Sequence, residues 1–430
     1  MDGVFDWKAA DDDGRRAALA RPAMREDERL RDAVAETVSS VRAGGWDALC
    51  EIALRIDGRR PERVAVSDAA RDARATLPAE AVSAMELARD HIITFHEASR
   101  PADVKVETAP GLTVEKRWTP LGSAGLYVPG GKAPLFSTLM MLAIPARVAG
   151  VERLTVVTPP RLDGELDPAI ALAADLCGIE AIWTVGGAQA IAALAFGAGD
   201  IEPVARICGP GNAWVAAAKS LVSSLPGGPG IDLPAGPSEL MVIADDAADP
   251  ARVAADLLSQ AEHDLDAQAL LVSPSSDVIE AVLVEVASQK KAMGGDFADV
   301  RAIRCSDLEE AAAIANRYAP EHLSLAVEGA ASLTSRITDA GAVFVGGAMA
   351  ETFGDYLAGS SHVLPTDGAA RYTGGVTVHS FMKAVSFQTI SDDAAERLAP
   401  AAAALARLEG LEAHARAADA RLTRAKEAAE

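Results

Sequence analysis

The chain has 430 residues, of which half are hydrophobic and only 4% are aromatic. A chain of this length can bury two or three separate hydrophobic cores. Its abundance of Ala, Gly and Val is typical of helices packed on parallel strands. The formal net charge of −22 argues against binding nucleic acid through phosphate contacts, because the electric field has the wrong sign.

Cysteine usage and the N-terminal sequence indicate the compartment. Cys50, Cys177, Cys208 and Cys305 are far apart and form no Cys-x-x-Cys pair, which predicts a reducing environment and no thiolate zinc site. The N-terminus carries acids where a secretion signal needs positive charge, and no stretch approaches about 18 uninterrupted apolar residues. The sequence therefore predicts a soluble, cytoplasmic protein without a membrane span.

The N-terminal quarter predicts a polar arm followed by helices. Residues 1–22 are acidic and hold too few apolar positions to fold alone, so we expect a loose arm or one that packs on another part of the protein. Apolar residues recur at helical spacing from about residue 25 to 57, with a break at Gly44-Gly45. A further long helix is predicted over about residues 79–99.

Beyond a predicted β-hairpin at residues 104–119, strands and helices alternate with short links, which predicts parallel sheets. Predicted strands lie at 154–158, 181–185, 240–244, 269–272, 300–303, 323–327 and 342–345. Predicted helices lie at 139–148, 167–177, 188–196, 213–219, 250–262, 276–293 and 307–318. The Gly/Pro-rich residues 226–237 are typical of a boundary between lobes, and the Ala-rich tail 392–430 is predicted to be helical.

These patterns predict an α/β fold with two incomplete Rossmann-like parallel-sheet lobes and small helical arms at both ends. The expected boundaries are 1–22 for the N-terminal arm, 23–126 plus 237–376 for the first lobe, 127–236 for the second lobe, and 377–430 for the C-terminal arm.

Standard nucleotide-binding signatures are absent. Gly209-Pro210-Gly211 does not continue as Gly-x-Gly-x-x-Gly, and Gly125–Lys132 is one residue too long for a phosphate loop. Glycine-rich turns remain at 129–132, 186–188 and 209–212. Their backbone amides suit a pyrophosphate, although each is equally well explained as a tight turn in an α/β lobe.

Two short polar segments suggest chemistry. Gln260 and His263 are three positions apart and share one face of a predicted helix, although a polar helix end with a solvated histidine is the favoured explanation of such a pair in isolation. Glu321 and His322 follow Pro320 at a strand entrance, and together they offer the two groups that a two-stage proton transfer needs. Cys208 could act as a thiol nucleophile, but a buried residue at a strand end is the favoured interpretation.

A metal site is a further possibility. Gln260, His263, Asp355 and His414 would form a set of two nitrogen and two oxygen ligands, which suits zinc. The residues are far apart in the sequence, so residue type alone supports this set only slightly.

Several motifs occur together in a fixed order. They are Gly-Leu-Tyr-Val-Pro-Gly-Gly, Gly-Gly-Ala-Gln-Ala, Gly-Pro-Gly-Asn, Ala-Gly-Pro-Ser-Glu, Ser-Gln-Ala-Glu-His-Asp, Ala-Pro-Glu-His-Leu, Gly-Asp-Tyr, His-Val-Leu-Pro-Thr and Glu-Gly-Leu-x-Ala-His. With these motifs, the chain from about residue 25 to 425 resembles the L-histidinol dehydrogenase family. The resemblance implies a zinc-dependent, four-electron oxidation of L-histidinol through bound L-histidinaldehyde to L-histidine with two NAD, the last step of histidine biosynthesis.

The resemblance also implies a role for individual residues. Zinc would be held by Gln260, His263, Asp355 and His414. His322 would accept the alcohol proton, and Glu321 would activate water for hydration of the aldehyde. The implied NAD contacts are Tyr127, Gln189 and Asn212 in the second lobe; the implied substrate contacts are Ser238, His362 and Glu409 together with His322 and the zinc ligands.

In this family the protein is an intertwined homodimer, so the C-terminal arm would carry Glu409 and His414 into the partner's site. The chain departs from the family pattern at Gly346–Glu351, where Thr-Pro-Glu is more usual, and at Ser360-Ser361, which replaces Pro-Asn. A relative that oxidises another small polar alcohol is therefore an alternative. A zinc hydrolase that uses Glu321 to activate water is a second alternative, and an inactive scaffold is disfavoured because every implied ligand is present.

Overall fold

The computed structural model describes residues 4–21, 28–130, 134–161, 163–233 and 236–422. It divides into two compact units, Met1–Ser99 with Leu121–Phe381 and Arg100–Pro120 with Met382–Glu430. Parts of the predicted features lie outside the described residues, namely the start of the first helix, part of the turn at 129–132, part of the 226–237 crossing, and the tail beyond residue 422.

The described strands, in chain order, are β1 (Val4–Asp6), β2 (Arg63–Ala65), β3 (Val104–Ala109), β4 (Leu112–Pro120), β5 (Ser123–Tyr127), β6 (Arg153–Thr158), β7 (Ala181–Thr184), β8 (Arg206–Cys208), β9 (Gly230–Ile231), β10 (Glu239–Ala244), β11 (Gln268–Ser273), β12 (Val300–Arg304), β13 (His322–Ala326), β14 (Ala342–Val345) and β15 (Met382–Ile390).

The described helices are α1 (Asp12–Ala18), α2 (Glu28–Ile56), α3 (Val66–Thr76), α4 (Ala79–Ala98), α5 (Phe136–Ala149), α6 (Pro168–Leu176), α7 (Gly187–Phe196), α8 (Ala213–Ser224), α9 (Pro250–Ala261), α10 (Ser276–Met293), α11 (Leu308–Tyr318), α12 (Ala330–Leu333), α13 (Glu351–Tyr356), α14 (Asp392–Leu408) and α15 (Glu412–Asp419).

The first unit contains two mostly parallel sheets. Sheet A has the order β1-β12-β11-β10-β13-β14, and sheet B has the order β2-β7-β6-β5-β8-β9. The central strands β10, β11 and β13 are buried along their whole length, as expected for parallel strands covered by helices on both faces. The predicted α/β fold with two parallel sheets is therefore confirmed.

Each sheet reverses its strand order next to a central strand. In sheet A the chain runs from β10 outward through β11 to β12 and then returns to place β13 on the other side of β10. In sheet B, β6 and β7 lie on one side of β5, and β8 lies on the other. Such reversal points open a crevice at the sheet edge where ligands commonly bind in α/β proteins.

The N-terminal arm packs against sheet A, which was one of the two expectations for it, and it contains a short strand as well as helix α1. Residues 4–6 form β1, which pairs in parallel with β12, and Trp7 lies in the sheet A core with Ile303 and Tyr318. The prediction missed this strand because three residues are too few to show a period-2 pattern.

Part of the chain that was expected in the first lobe packs with sheet B instead. Helix α2 buries Val34, Val38 and Leu49 against α7 of sheet B, and both β2 and β5 belong to that sheet. Helical periodicity identifies which face of α2 is buried but carries no information about which sheet covers it. The predicted break in α2 is confirmed, because Gly45 has a φ of 55° that glycine adopts without strain.

The second unit contains the predicted hairpin of β3 and β4, which pairs antiparallel with β15 to give the order β15-β4-β3. Helices α14 and α15 belong to the same unit. The predicted C-terminal arm therefore contains a strand, β15, ahead of its two helices. Among all helices that the structure describes, none is long and apolar enough to cross a membrane.

We predict that Trp7→Ala lowers the stability of the protein to urea by about 3–5 kcal/mol, because it removes a buried aromatic side chain from the sheet A core. The matched control is Lys8→Ala, an exposed neighbour that should change stability by less than about 0.5 kcal/mol. Equal unfolding midpoints for both variants would mean that the arm is a loose tail.

Candidate active site

Glu321 and His322 lie beside Ser238 and Glu239 at the amino edge of sheet A. Helix α11 ends at Tyr318 and is followed by Ala319, whose φ of 55° is left-handed. Pro320 prevents the helix from continuing. The chain then enters β13 at His322, which pairs in register with the second residue of β10. Parallel pairing of β10 and β13 thus brings together two segments about eighty positions apart.

The main chain of Glu239 holds both predicted catalytic residues. Its N–H donates a hydrogen bond to Oε2 of Glu321 at 2.9 Å. Its carbonyl oxygen lies 3.2 Å from Nδ1 of His322. Because a carbonyl can only accept, Nδ1 carries the proton and Nε2 is left with a free lone pair. Nε2 is buried without a hydrogen-bond partner and lies 3.7 Å from Oδ1 of Asp355.

Burial keeps His322 neutral. It lowers the pKa of the imidazole to about 3, and the nearby His362 and His263 contribute in the same direction. The ring is stacked on Phe344, with centroids 5.7 Å apart and planes inclined by 17°. A neutral imidazole with a fixed tautomer can accept a proton at Nε2.

Two buried carboxyl groups and one half-buried carboxyl group surround this imidazole. Burial raises the pKa of Glu321 and of Glu351 well above the usual range, and mutual repulsion with other carboxylates adds to both shifts. Burial also raises the pKa of Asp355 to about 6. Oε1 of Glu351 lies 3.4 Å from Nδ1 of His322. This is an environment that a cation would stabilise, because a nearby positive charge favours the ionised carboxylates.

Three of the four predicted zinc ligands belong to the first unit. Gln260 lies in the last turn of α9, is fully buried, and has no hydrogen-bond partner for either amide atom. Asp355 is on α13, which is tied to α9 by a 3.2 Å hydrogen bond from Ser259 to Glu351. His263 follows α9 and is exposed.

The remaining predicted ligand, His414, lies in α15 of the second unit. The predicted substrate contact Glu409 directly follows α14 in the same unit, and both side chains are exposed there. Within the described residues, no group of three or more His, Cys, Asp or Glu side chains is arranged to hold a metal ion. The unsatisfied amide of Gln260 is nevertheless costly to bury without a ligand, and its carbonyl oxygen, an imidazole and a carboxylate are suitable donors for zinc.

A cavity of about 60 Å³ is lined by residues that follow or precede strands of both sheets. Ser238, Glu321 and His362 line it from the side of sheet A, while Gly209 and Asp232 line it from the side of sheet B. His362 is oriented by its ring nitrogens, which lie 3.1 Å from the carbonyl oxygen of Asp355 and 3.1 Å from Oγ1 of Thr138. Burial lowers the pKa of His362 to about 4.

The three predicted NAD contacts lie at the carboxyl edge of sheet B. Tyr127 ends β5, and its hydroxyl accepts a hydrogen bond from the N–H of Gly187 at 3.3 Å. Gln189, one turn into α7, donates to Asp57 at 3.1 Å. Asn212 caps α8 and is exposed. Strands β5 and β8 flank the reversal point of sheet B, so this edge has the position expected of a nucleotide site.

The turn after β8 requires glycine. Gly209 has a φ of 127°, and a Cβ atom there would collide with the carbonyl oxygen of Tyr127. Its N–H donates to Asp232 at 2.6 Å, and its carbonyl accepts from Lys219 at 2.8 Å. Lys219 and Asp232 form a buried ion pair, and the sequence analysis missed both residues because neither stands within a recognisable motif.

Cys208 ends β8 and is fully buried. Burial raises the pKa of its thiol well above the usual range, so the reactive thiolate is strongly disfavoured. The interpretation of Cys208 as a buried strand-end residue is confirmed.

Comparison with known proteins identifies the family. The histidinol dehydrogenase family model matches residues 20–422. Histidinol dehydrogenase of Xanthomonas euvesicatoria pv. vesicatoria is 46% identical over 421 residues, with 96% of this chain and 97% of the relative covered. The corresponding protein of Idiomarina loihiensis is 43% identical, with 96% and 95% covered.

A crystal structure of histidinol dehydrogenase from Elizabethkingia anophelis superposes with a TM-score of 0.92 at 36% identity, and the match covers 99% of this chain and 98% of that one. Sequence and fold thus agree over nearly the whole length, and the chain belongs to the histidinol dehydrogenase family.

Proposed function

We propose that this protein oxidises L-histidinol to L-histidine through bound L-histidinaldehyde, with two NAD consumed, as the last step of histidine biosynthesis. The observation that supports this most directly is the pairing of Glu321 with a neutral His322 whose Nε2 is free to accept a proton. Family membership favours a dehydrogenase over a zinc hydrolase. The four cysteines of this protein are free and buried, which suits a reducing cytoplasm.

Proton transfer would proceed in two stages. In the first, Nε2 of His322 accepts the hydroxyl proton while a hydride leaves the carbinol carbon for NAD, which gives the aldehyde. In the second, the Glu321 carboxylate accepts a proton from water as that water adds to the aldehyde carbon. The resulting anionic hydrate then loses a second hydride to a second NAD. This gives the carboxylic acid, which releases its proton to solvent to form the carboxylate.

We propose that Gln260, His263, Asp355 and His414 hold zinc. A divalent cation here would orient the amino and imidazole nitrogens of the substrate and would lower the pKa of the buried carboxyl groups. The unsatisfied Gln260 amide and the acidic surroundings of His322 support this assignment. Ser238, His362 and Glu409 would contact the substrate, and Tyr127, Gln189 and Asn212 would contact NAD.

We further propose a homodimer with shared sites, in which His414 and Glu409 serve the partner subunit. The second unit carries exposed apolar side chains on and after α14, with Leu405 66% and Leu408 84% exposed. Exposed apolar groups of this size are typical of surfaces that another protein covers.

The stoichiometry of NADH tests the function. We expect two NADH for each L-histidinol consumed. A yield of one NADH would contradict the proposed four-electron oxidation. Turnover without NAD would favour the zinc hydrolase, and activity restricted to another amino alcohol would favour a relative with a different substrate.

We predict that His322→Asn lowers kcat about 10²–10⁴-fold, because the proton acceptor is lost, while zinc content measured by atomic emission stays unchanged. The matched control is His91→Asn on α4, an exposed site that should retain the kcat of the unmodified protein. Loss of zinc from His322→Asn would contradict the assigned role.

The same variant tests the shared site. Mixing His322→Asn subunits with His414→Ala subunits should restore activity, because half of the sites in a mixed dimer would hold both intact residues. Absence of any recovery in a verified mixed dimer would refute the proposal that His414 serves the partner.

We predict that Gln260→Leu weakens zinc binding at least about tenfold in a chelator competition. Without zinc, however, its unfolding temperature should stay equal or rise, because an unsatisfied buried amide is removed. Gln289→Leu on α10 is the matched control and should leave zinc affinity unchanged. Destabilisation of zinc-free Gln260→Leu together with unchanged zinc affinity would show that the amide has a structural role.

A further inference from the structure

The N-terminal arm ends in a buried contact with the strand that carries Glu239. Arg21 binds both carboxylate oxygens of Glu239, with Nη2 2.8 Å from Oε2 and Nε bonded to Oε1. Glu239 is 1% exposed. Its Oε1 also accepts a hydrogen bond from the N–H of Asp367 at 3.0 Å. A bidentate arginine–carboxylate pair in a buried setting fixes both position and orientation.

Arg21 also binds the segment that leads into the second strand. Its Nη2 donates to the carbonyl oxygen of Tyr318 at 2.9 Å, and its guanidinium lies 3.9 Å from the centre of the Tyr318 ring. Tyr318 is the last residue of α11 and stands only three positions before Glu321. One side chain therefore binds the entrances of both β10 and β13.

The arm reaches this position along the amino edge of sheet A. Strand β1 pairs with β12 at the edge of the sheet. Further along, Arg301 of β12 donates to the carbonyl oxygens of Ala18 and Ala20 at 3.2 and 2.9 Å. Arg21 follows directly and contacts the first residue of β10. The arm thus passes from the outer strand to the two central strands at which Glu321 and His322 are held.

We propose that Arg21 is a positioning residue for proton transfer, acting through Glu239, whose main chain holds Glu321 and His322. This inference rests on the catalytic roles proposed above. Arg21 does not line the cavity beside Glu321 and Ser238, so a substitution of Arg21 would act on the site through the strand entrances. Loss of the guanidinium would leave the buried Glu239 carboxylate without its cation, and the carboxylate would move toward water.

Misplacement of the reacting groups by a fraction of an ångström lowers the rate without weakening ground-state binding. We therefore expect Arg21→Met to lower kcat about 10- to 100-fold per binding-competent site. The Kd values for L-histidinol and NAD should stay within about threefold of those of the unmodified protein. Arg21→Lys, which keeps the charge but cannot bind both oxygens in the same plane, should recover part of the loss.

The experiment compares four zinc-loaded full-length proteins: unmodified, Arg21→Met, Arg21→Lys and Arg301→Met. Calorimetric titration with L-histidinol gives the number of competent sites, and kcat is divided by that number. Arg301→Met is the matched control, because it removes another half-buried arginine, one on β12 that binds the arm, without touching Glu239. It should keep kcat per site near that of the unmodified protein.

The outcomes are distinct. A low kcat per site in Arg21→Met, with retained binding and partial recovery in Arg21→Lys, supports the positioning role. An unchanged kcat per site in Arg21→Met, or an equal loss in Arg301→Met, overturns it and leaves only a structural role. If Arg21→Met does not fold, full turnover per site in Arg21→Lys overturns the inference. Inactivity of the unmodified protein on L-histidinol would instead refute the proposed function.

Discussion

The parallel pairing of β10 with β13 is the constraint on which the site depends. These strands are adjacent because the strand order of sheet A reverses next to β10. Their register places Leu240 opposite His322. The main chain of Glu239 then holds a carboxylate with its N–H and an imidazole with its carbonyl oxygen. Backbone groups at a buried strand entrance have little freedom to move, so the tautomer of His322 and the direction of Nε2 follow from the fold itself.

The two predicted sites use opposite edges of their sheets. The residues proposed to bind NAD follow the carboxyl ends of β5, β7 and β8, as is usual in α/β proteins. The residues proposed for proton transfer lie instead at the amino ends of β10 and β13. Glu321 lines one cavity together with Gly209, which follows the carboxyl end of β8. A hydride acceptor held at that end of sheet B would therefore lie close to Glu321 of sheet A.

Charge explains why this pocket suits a cation and a cationic substrate. The buried Glu321 and Glu351 and the half-buried Asp355 surround a neutral imidazole, and removal from water raises the pKa of each carboxyl group. Positive charge supplied by a metal ion and an amino group would offset that cost. The Gly346–Glu351 stretch, which departs from the family pattern, still places a carboxyl group beside His322.

Local patterns in the sequence determined most of the helices, the strands β6 and β7, and the strands β10 to β14, because burial against a sheet imposes periods of 3.6 and 2 on apolar residues. Ordered motifs also marked Glu321, His322 and Gln260. Only the tertiary structure decided that α2 packs on sheet B, that β1 extends sheet A, and that Arg21 reaches Glu239 across more than two hundred positions. Such contacts depend on which surfaces meet after folding, and an isolated arginine or a three-residue strand carries no local signal of its partner.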